Sequence, residues 1–129
     1  MKNDVYVGLQ FNEHGIDKAI WSFTEIPKDI GYGIFQFPIA NVHTEGNRAV
    51  GIYTNMSKEL REGQDIYIIS YFIAPRFSHV VSKVFIDYED VSTVVGEIFS
   101  NTNNQNAKIQ ICKVPVYRRY GNVPKVGES

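Results

Sequence analysis

Strict alternation of apolar and polar positions marks the start of the chain. In residues 4–12, Val5, Val7, Leu9 and Phe11 occupy every second position, which predicts a strand with one buried face. Similar strand-like stretches follow at 33–42, 48–55, 65–74, 79–88 and 107–117. The stretch 65–74 is apolar on both faces, as expected of a central strand that is covered from both sides.

Two other segments have apolar residues at helical spacing. The sequence "HGIDKAIWSFTEIP" (14–27) places Ile16, Ala19, Ile20 and Phe23 at i, i+3, i+4 and i+7, and Pro27 closes it. The sequence "EDVSTVVGEIFSNT" (89–102) has a comparable stripe of Val91, Val94, Val95, Ile98 and Phe99, with Asp90 as its candidate N-cap. Both patterns predict amphipathic helices.

The predicted element order is therefore β-α-β-β-β-β-α-β. Four consecutive strands without a crossover helix favour a mostly antiparallel sheet of about six strands, and two helices on one face would complete an α+β domain. We expect one domain at 1–120 and a flexible tail at 121–129. Pro38 indicates an edge strand or a bulge. The other edge can pair with a second copy, so a homodimer is also an expectation.

The composition argues against several classes of protein. No apolar run approaches the roughly 20 residues of a membrane-spanning helix. The start, "MKNDVYVG", lacks the apolar core of a signal peptide, so we expect a cytoplasmic protein without membrane contact. The single cysteine, Cys112, excludes an internal disulfide and a multi-cysteine zinc site. Neither GxxxxGK[ST] nor GxGxxG occurs, and no cofactor is predicted.

Charge is distributed unevenly along the chain. Residues 1–107 carry 8 Lys or Arg and 13 Asp or Glu, whereas residues 108–129 carry 5 and 1. This basic end holds Tyr117, Arg118, Arg119 and Tyr120 in a row. Arginines grip phosphates and aromatic rings stack on bases, yet the acidic body argues against a nucleic-acid partner. A small anionic ligand, a protein contact and a plain strand end stay open as interpretations.

Other aromatic residues are candidates for binding. Trp21 lies roughly 155° from the apolar stripe of its predicted helix, at about 100° per residue. A large aromatic side chain on that face is either covered by another segment or offered to a partner. Tyr67 and Tyr71, on the predicted central strand, would join Arg118 and Arg119 in a ligand pocket if the sheet curved around them.

The titratable residues give no catalytic or metal motif. The spacing of His14, His43 and His79 matches no metal-binding pattern. The carboxylates within 87–90 are the residues that a helix N-terminus favours in any case, so no metal site is predicted. An RNase-like enzyme would need His43 and His79 as its acid and base, which requires the fold to bring them together.

These observations favour a small non-enzymatic interaction protein that acts by contact with a protein partner. Trp21, the tyrosines and the arginine pair are its expected anchors. Compact domains without cofactor motifs often act as inhibitors, immunity proteins or adaptors in bacteria and their phages, an expectation by analogy. The alternatives are a small-molecule or nucleotide-binding module using Tyr67, Tyr71 and the arginines, and the RNase-like enzyme.

Overall fold

The computed structural model describes residues 4–12, 15–25, 33–45, 48–54, 60–72, 78–119, 121 and 123. Within them the elements are β1 (Asp4–Asn12), β2 (Gly15–Phe23), β3 (Gly33–Glu45), β4 (Arg48–Thr54), β5 (Gln64–Phe72), β6 (Ser78–Phe85), α1 (Tyr88–Ser100), a short 3₁₀ helix (Thr102–Asn104) and β7 (Lys108–Tyr117). The protein is thus a small, β-rich single domain. Most of the predicted tail at 121–129 lies outside the described residues.

Six strands close into a barrel in the order β1-β2-β7-β5-β6-β3, and β3 pairs back with β1. β1 is antiparallel to β2 and β3, and β5 is antiparallel to β6 and β7. Two short parallel seams, β2–β7 and β3–β6, join these halves, while β4 pairs with the far part of β3. The predicted antiparallel sheet is therefore correct only in part, because the sheet closes on itself and includes parallel contacts.

The first predicted helix is wrong, since β2 occupies that segment. Its pairing with β1 shifts register between Gly8 and Leu9 and again between Gln10 and Phe11. At each shift one β2 residue is extra, as in a β-bulge. The core-facing residues of β2 are consequently Ile16, Ala19 and Ser22, three residues apart instead of two. Two bulges in one strand thus imitate the spacing of a helix.

The other predicted elements are confirmed with small changes of boundary. Pro38 is placed where β3 changes partners, because residues 33–38 pair with β1 and residues 40–45 with β4. β3 is therefore an interior strand, and Pro38 stands at the junction of two pairings. The second helix is present as α1, although it begins at Tyr88 with Asp87 as its N-cap, three residues before Asp90.

An apolar cluster lies on each side of the barrel wall, one inside the barrel and one outside it. The larger fills the interior and draws on every barrel strand; it includes Val5, Val7, Leu9, Ile16, Phe37, Ile39, Ile66, Ile68, Val84, Cys112, Val114 and Val116. The smaller one lies outside the barrel, where Val91 and Val94 of α1 pack with Ala40, Ile69 and Phe85. β5 contributes to both clusters, so its prediction as a strand covered on both faces is confirmed.

The strand directions give the barrel two distinct ends. β1 and β5 finish at one end, where β2, β3, β6 and β7 begin; we call it the Lys108 end. β2, β6 and β7 finish at the opposite end, which we call the Arg118 end. The candidate residues of the sequence divide between these ends and the outer wall.

Candidate functional site

The arginine pair is engaged within the protein at the Arg118 end. The Arg118 Nε donates to Glu25 Oε1 at 2.8 Å, and the Arg119 Nε lies 3.8 Å from Glu25 Oε2. The main-chain N–H of Arg118 also donates to Glu62 Oε1 at 3.0 Å. The three charged side chains of the Glu25 cluster (Glu25, Arg118 and Arg119) remain about half exposed. The predicted anion-binding arginines therefore already have a carboxylate partner, and Tyr120 lies outside the described residues.

Main-chain hydrogen bonds close the same end of the barrel. Thr24 and Glu25 donate to the carbonyls of Tyr117 and Arg118, each at 3.0 Å, so the β2–β7 seam continues past both strands. The main-chain N–H of Gly63 donates to the Val116 carbonyl at 2.8 Å. Gly63 itself has a φ of 81°. Because L side chains rarely adopt that conformation, glycine suits this tight turn into β5. The Tyr117 hydroxyl lies beside it, 3.7 Å from the position of a Cβ on Gly63.

Trp21 covers its own sheet. Its ring stacks on Phe23 with centroids 5.1 Å apart and lies over Gly8 of β1, opposite which it is paired. A Cβ on Gly8 would come within 2.4 Å of Trp21 Cε2, so only glycine leaves room for the indole. The indole Nε1 is buried, and no described residue accepts its hydrogen bond. Trp21 therefore lies on the outer face of the sheet, but Gly8 and Phe23 cover part of its indole, which is half-buried.

Tyr67 and Tyr71 lie far from the arginine pair. Tyr67 contacts Tyr88 of α1 in an edge-to-face arrangement, with centroids 5.6 Å apart, and packs against the outer apolar cluster. Tyr71 follows on the same outer side of β5, opposite Ile109. The structure therefore does not bring the four members of the expected Tyr/Arg pocket together.

The histidine pair is also separated. On β6, His79 pairs with Tyr71 and Phe85 pairs with Tyr67, so these two β6 residues are separated by four residue steps of β5. Phe85 pairs with Ala40 of the parallel strand β3, and His43 lies three residues farther along β3, in the direction away from His79. Seven steps at about 3.3 Å amount to roughly 23 Å of strand. An acid and a base must lie within hydrogen-bond reach of one substrate, so the backbone positions give the RNase-like alternative no support.

The Lys108 end carries exposed apolar side chains. Phe11 and Phe35 meet edge to face with ring centroids 5.6 Å apart, and they are 45% and 38% exposed. Ile34, one residue before Phe35 on β3, is 40% exposed. We call these three residues the apolar rim. Alternation correctly assigned Phe11 to the same face as Val5, but it did not indicate that the strand runs past the end of the core.

A cleft of about 290 Å³ opens at the same end, lined by Asn12, Ser70, Phe72, Lys108, Ile109 and Gln110. Ser70 is paired directly with Gln110, and Phe72 with Lys108, across β5 and β7. None of these residues was predicted as a site residue. The available signal was on β7, where the alternate residues Lys108 and Gln110 continue the face of Cys112 and Val114 but are polar.

Cys112 lies one inward position deeper than Gln110 and is buried. Burial raises the pKa of its thiol because it disfavours the thiolate; a hydrogen bond from the Ala19 backbone opposes this, and the charge of Asp17 adds to it. The neutral thiol is a poor nucleophile, which suits a core residue.

Among the described residues, no three or more His, Cys, Asp or Glu side chains come together as a metal site. In the same part of the chain, no helix is long and apolar enough to cross a membrane. The sequence matches no protein-family model, and comparisons with curated proteins and solved structures give no match either.

Proposed function

We propose that the protein acts by non-catalytic contact with another protein and that the apolar rim is its contact surface. The observation that carries this proposal is the exposure of Phe11 and Phe35, each at 38% or more, although both lie on the core-facing side of their strands. When a partner removes exposed apolar surface from water, the complex is stabilised by about 25 cal/mol per Å² of that surface. Inhibitors, immunity proteins and adaptors all act through such surfaces.

The location of the rim supports this choice of surface over the anchors expected from the sequence. The arginine pair is held by Glu25, and Trp21 packs on Gly8 and Phe23. The rim residues lie on both faces of one strand end, since Ile34 is opposite Gly8 and Phe35 is opposite Val7. A partner that encloses this end would bury all three side chains, and clustered aromatic residues are typical of interface cores.

Site-specific photo-cross-linking in cells of the source organism tests the proposal. A benzophenone amino acid at position 11 or 35 should form an adduct of defined mass with another protein. The matched control is position 99, because Phe99 is also a phenylalanine, is 39% exposed and lies on α1. Identical adducts from positions 11, 35 and 99 would refute the apolar rim as the contact surface, and so would adducts with a second copy of the chain alone.

A double variant provides an independent measurement. Phe11→Ser with Phe35→Ser should reduce recovery of the cross-linked partner by about tenfold or more, as loss of interface anchors does, in an affinity capture from the same cells. Phe99→Ser should leave recovery unchanged, and circular dichroism should show that the double variant and the control are both folded. Unchanged recovery with the folded double variant would contradict the proposal.

A further inference from the structure

The cleft at the Lys108 end has a polar floor, which Ser70 of β5 and Gln110 of β7 form side by side. Along the inward face of β5 the residues are Ile66, Ile68, Ser70 and Phe72, and Ser70 is only 2% exposed. The inward face of β5 therefore carries one hydroxyl group, that of Ser70, among apolar side chains. This hydroxyl lines the cleft, where a ligand can accept its hydrogen bond.

Lys108 supplies the charge at the mouth of the cleft. Among the described residues, the other cations of β7 and its C-terminal extension have carboxylate partners, since Lys113 lies 3.9 Å from Asp65 and the two arginines lie within 3.8 Å of Glu25. The ion pairs of this part of the chain do not include Lys108. One uncompensated ammonium group with neutral amide and hydroxyl donors around it suits a ligand with a single negative charge.

The remaining lining residues set the shape and polarity of the ligand. Phe72 provides apolar surface, while Asn12 and Gln110 provide amide groups; the side chain of Ile109 packs against the outer apolar cluster. The cleft, about 290 Å³ in volume, is at the lower end of small-molecule sites, which span roughly 300–1,000 Å³. Because the lining pairs Ser70–Gln110 and Phe72–Lys108 stand on adjacent hydrogen-bonded strands, the site rests on rigid elements.

We propose that this cleft binds a small monocarboxylate with a compact apolar body. The carboxylate is held by Lys108, with hydrogen bonds from the Gln110 amide and the Ser70 hydroxyl, and the apolar body packs on Phe72. This site is separate from the contact surface proposed above, since none of the rim residues lines the cleft. Binding of a small acid and binding of a protein therefore have separate tests.

Benzoate is a suitable probe, and NMR titration of the ¹⁵N-labelled full chain reports both binding and its location. We expect shifts concentrated at 70–72 and 108–110, with saturation in the millimolar range or below. Lys108→Gln should weaken benzoate binding about tenfold, because it removes the charge-assisted contact. Lys113→Gln is the matched control, since it removes a lysine of the same strand that is paired with Asp65 outside the cleft.

Four further titrations complete the test. Ser70→Ala should weaken binding while preserving the fold, and benzyl alcohol, which lacks the charge, should bind about tenfold more weakly than benzoate or weaker still. No shifts at 10 mM benzoate, or equal weakening by Lys108→Gln and Lys113→Gln, would overturn the proposal. Inorganic phosphate binding as well as benzoate would overturn the assignment to a carboxylate. Tighter binding of an acetylated tripeptide with a free C-terminus would overturn the assignment to a small free acid.

Discussion

The two ends of the barrel are made by the same six strands but treat their polar groups in opposite ways. At the Arg118 end, main-chain bonds from Thr24, Glu25 and Gly63 extend the strand pairing, and Arg118 and Arg119 share a carboxylate partner. At the Lys108 end, a lysine and a buried serine face a cleft, and two phenylalanines remain exposed.

This contrast separates stability from binding within one small domain. Proteins satisfy their polar groups and bury their apolar groups wherever stability alone is at stake, and they depart from this at sites of function. The arginine pair, which the sequence made conspicuous, belongs to the satisfied end. The exposed phenylalanines and the cleft, on which the two proposals depend, are at the Lys108 end, and we therefore place both proposed activities there.

The largest expected effect comes from comparing two inward-facing residues of β5. Ile66 is fully buried toward the Arg118 end, so Ile66→Ala should lower the free energy of unfolding by about 2–5 kcal/mol. Phe72 is half-buried beside the cleft, and Phe72→Ala should cost less than half as much although it removes a larger side chain. Urea unfolding followed by circular dichroism measures both values, and a larger loss for Phe72→Ala would contradict the division into a packed and an open end.

Much of the fold was predictable because periodicity survives in most strands. The strand predicted at 4–12 has the same bounds as β1, and α1 was indicated by its stripe of valines. β2 was not predictable in this way, because each bulge adds one residue and moves the inward positions from i+2 to i+3. Because the sequence predicts a helix there, the predicted sheet lacks a strand that is needed for closing the barrel.

The candidate site was harder to predict than the fold. Tyrosines and arginines in a row are conspicuous, but Glu25, which engages both arginines, is 93 residues away from Arg118 in sequence. Lys108, Gln110 and Ser70 are individually ordinary residues. They line one cleft only because β5 and β7 pair in a register that sets Ser70 opposite Gln110, and no local pattern encodes that register.

A second prediction measures how far the polar character of the Lys108 end reaches into the barrel. Cys112 is the first inward residue of β7 past Gln110, and its raised pKa means that the folded state holds the thiol proton more tightly than the unfolded state. Stability from this difference is complete below the unfolded pKa and is lost as pH rises through about 9 toward the folded value. The unfolding free energy should therefore fall more steeply above pH 9 in the native chain than in Cys112→Ala.

Thiol labelling provides the check on that result. At pH 8 the reaction of iodoacetamide with Cys112 should be slow in buffer and rapid in urea, since only the unfolded chain exposes a thiolate. Labelling at equal rates in both conditions, or parallel pH profiles for the native chain and Cys112→Ala, would show that water reaches past Gln110.

The smallest effect is expected at the Arg118 end, where Glu25→Gln removes the carboxylate shared by both arginines. Because these charged groups are about half exposed, the loss in unfolding free energy should be only about 0.2–1 kcal/mol and should shrink as salt is added. The substituted amide can still accept from Arg118, and the Thr24 and Gly63 main-chain bonds are unchanged. A loss above about 2 kcal/mol that persists in high salt would mean that the charge pairing itself closes this end of the barrel. A small, salt-sensitive loss would assign that closure to the main-chain bonds.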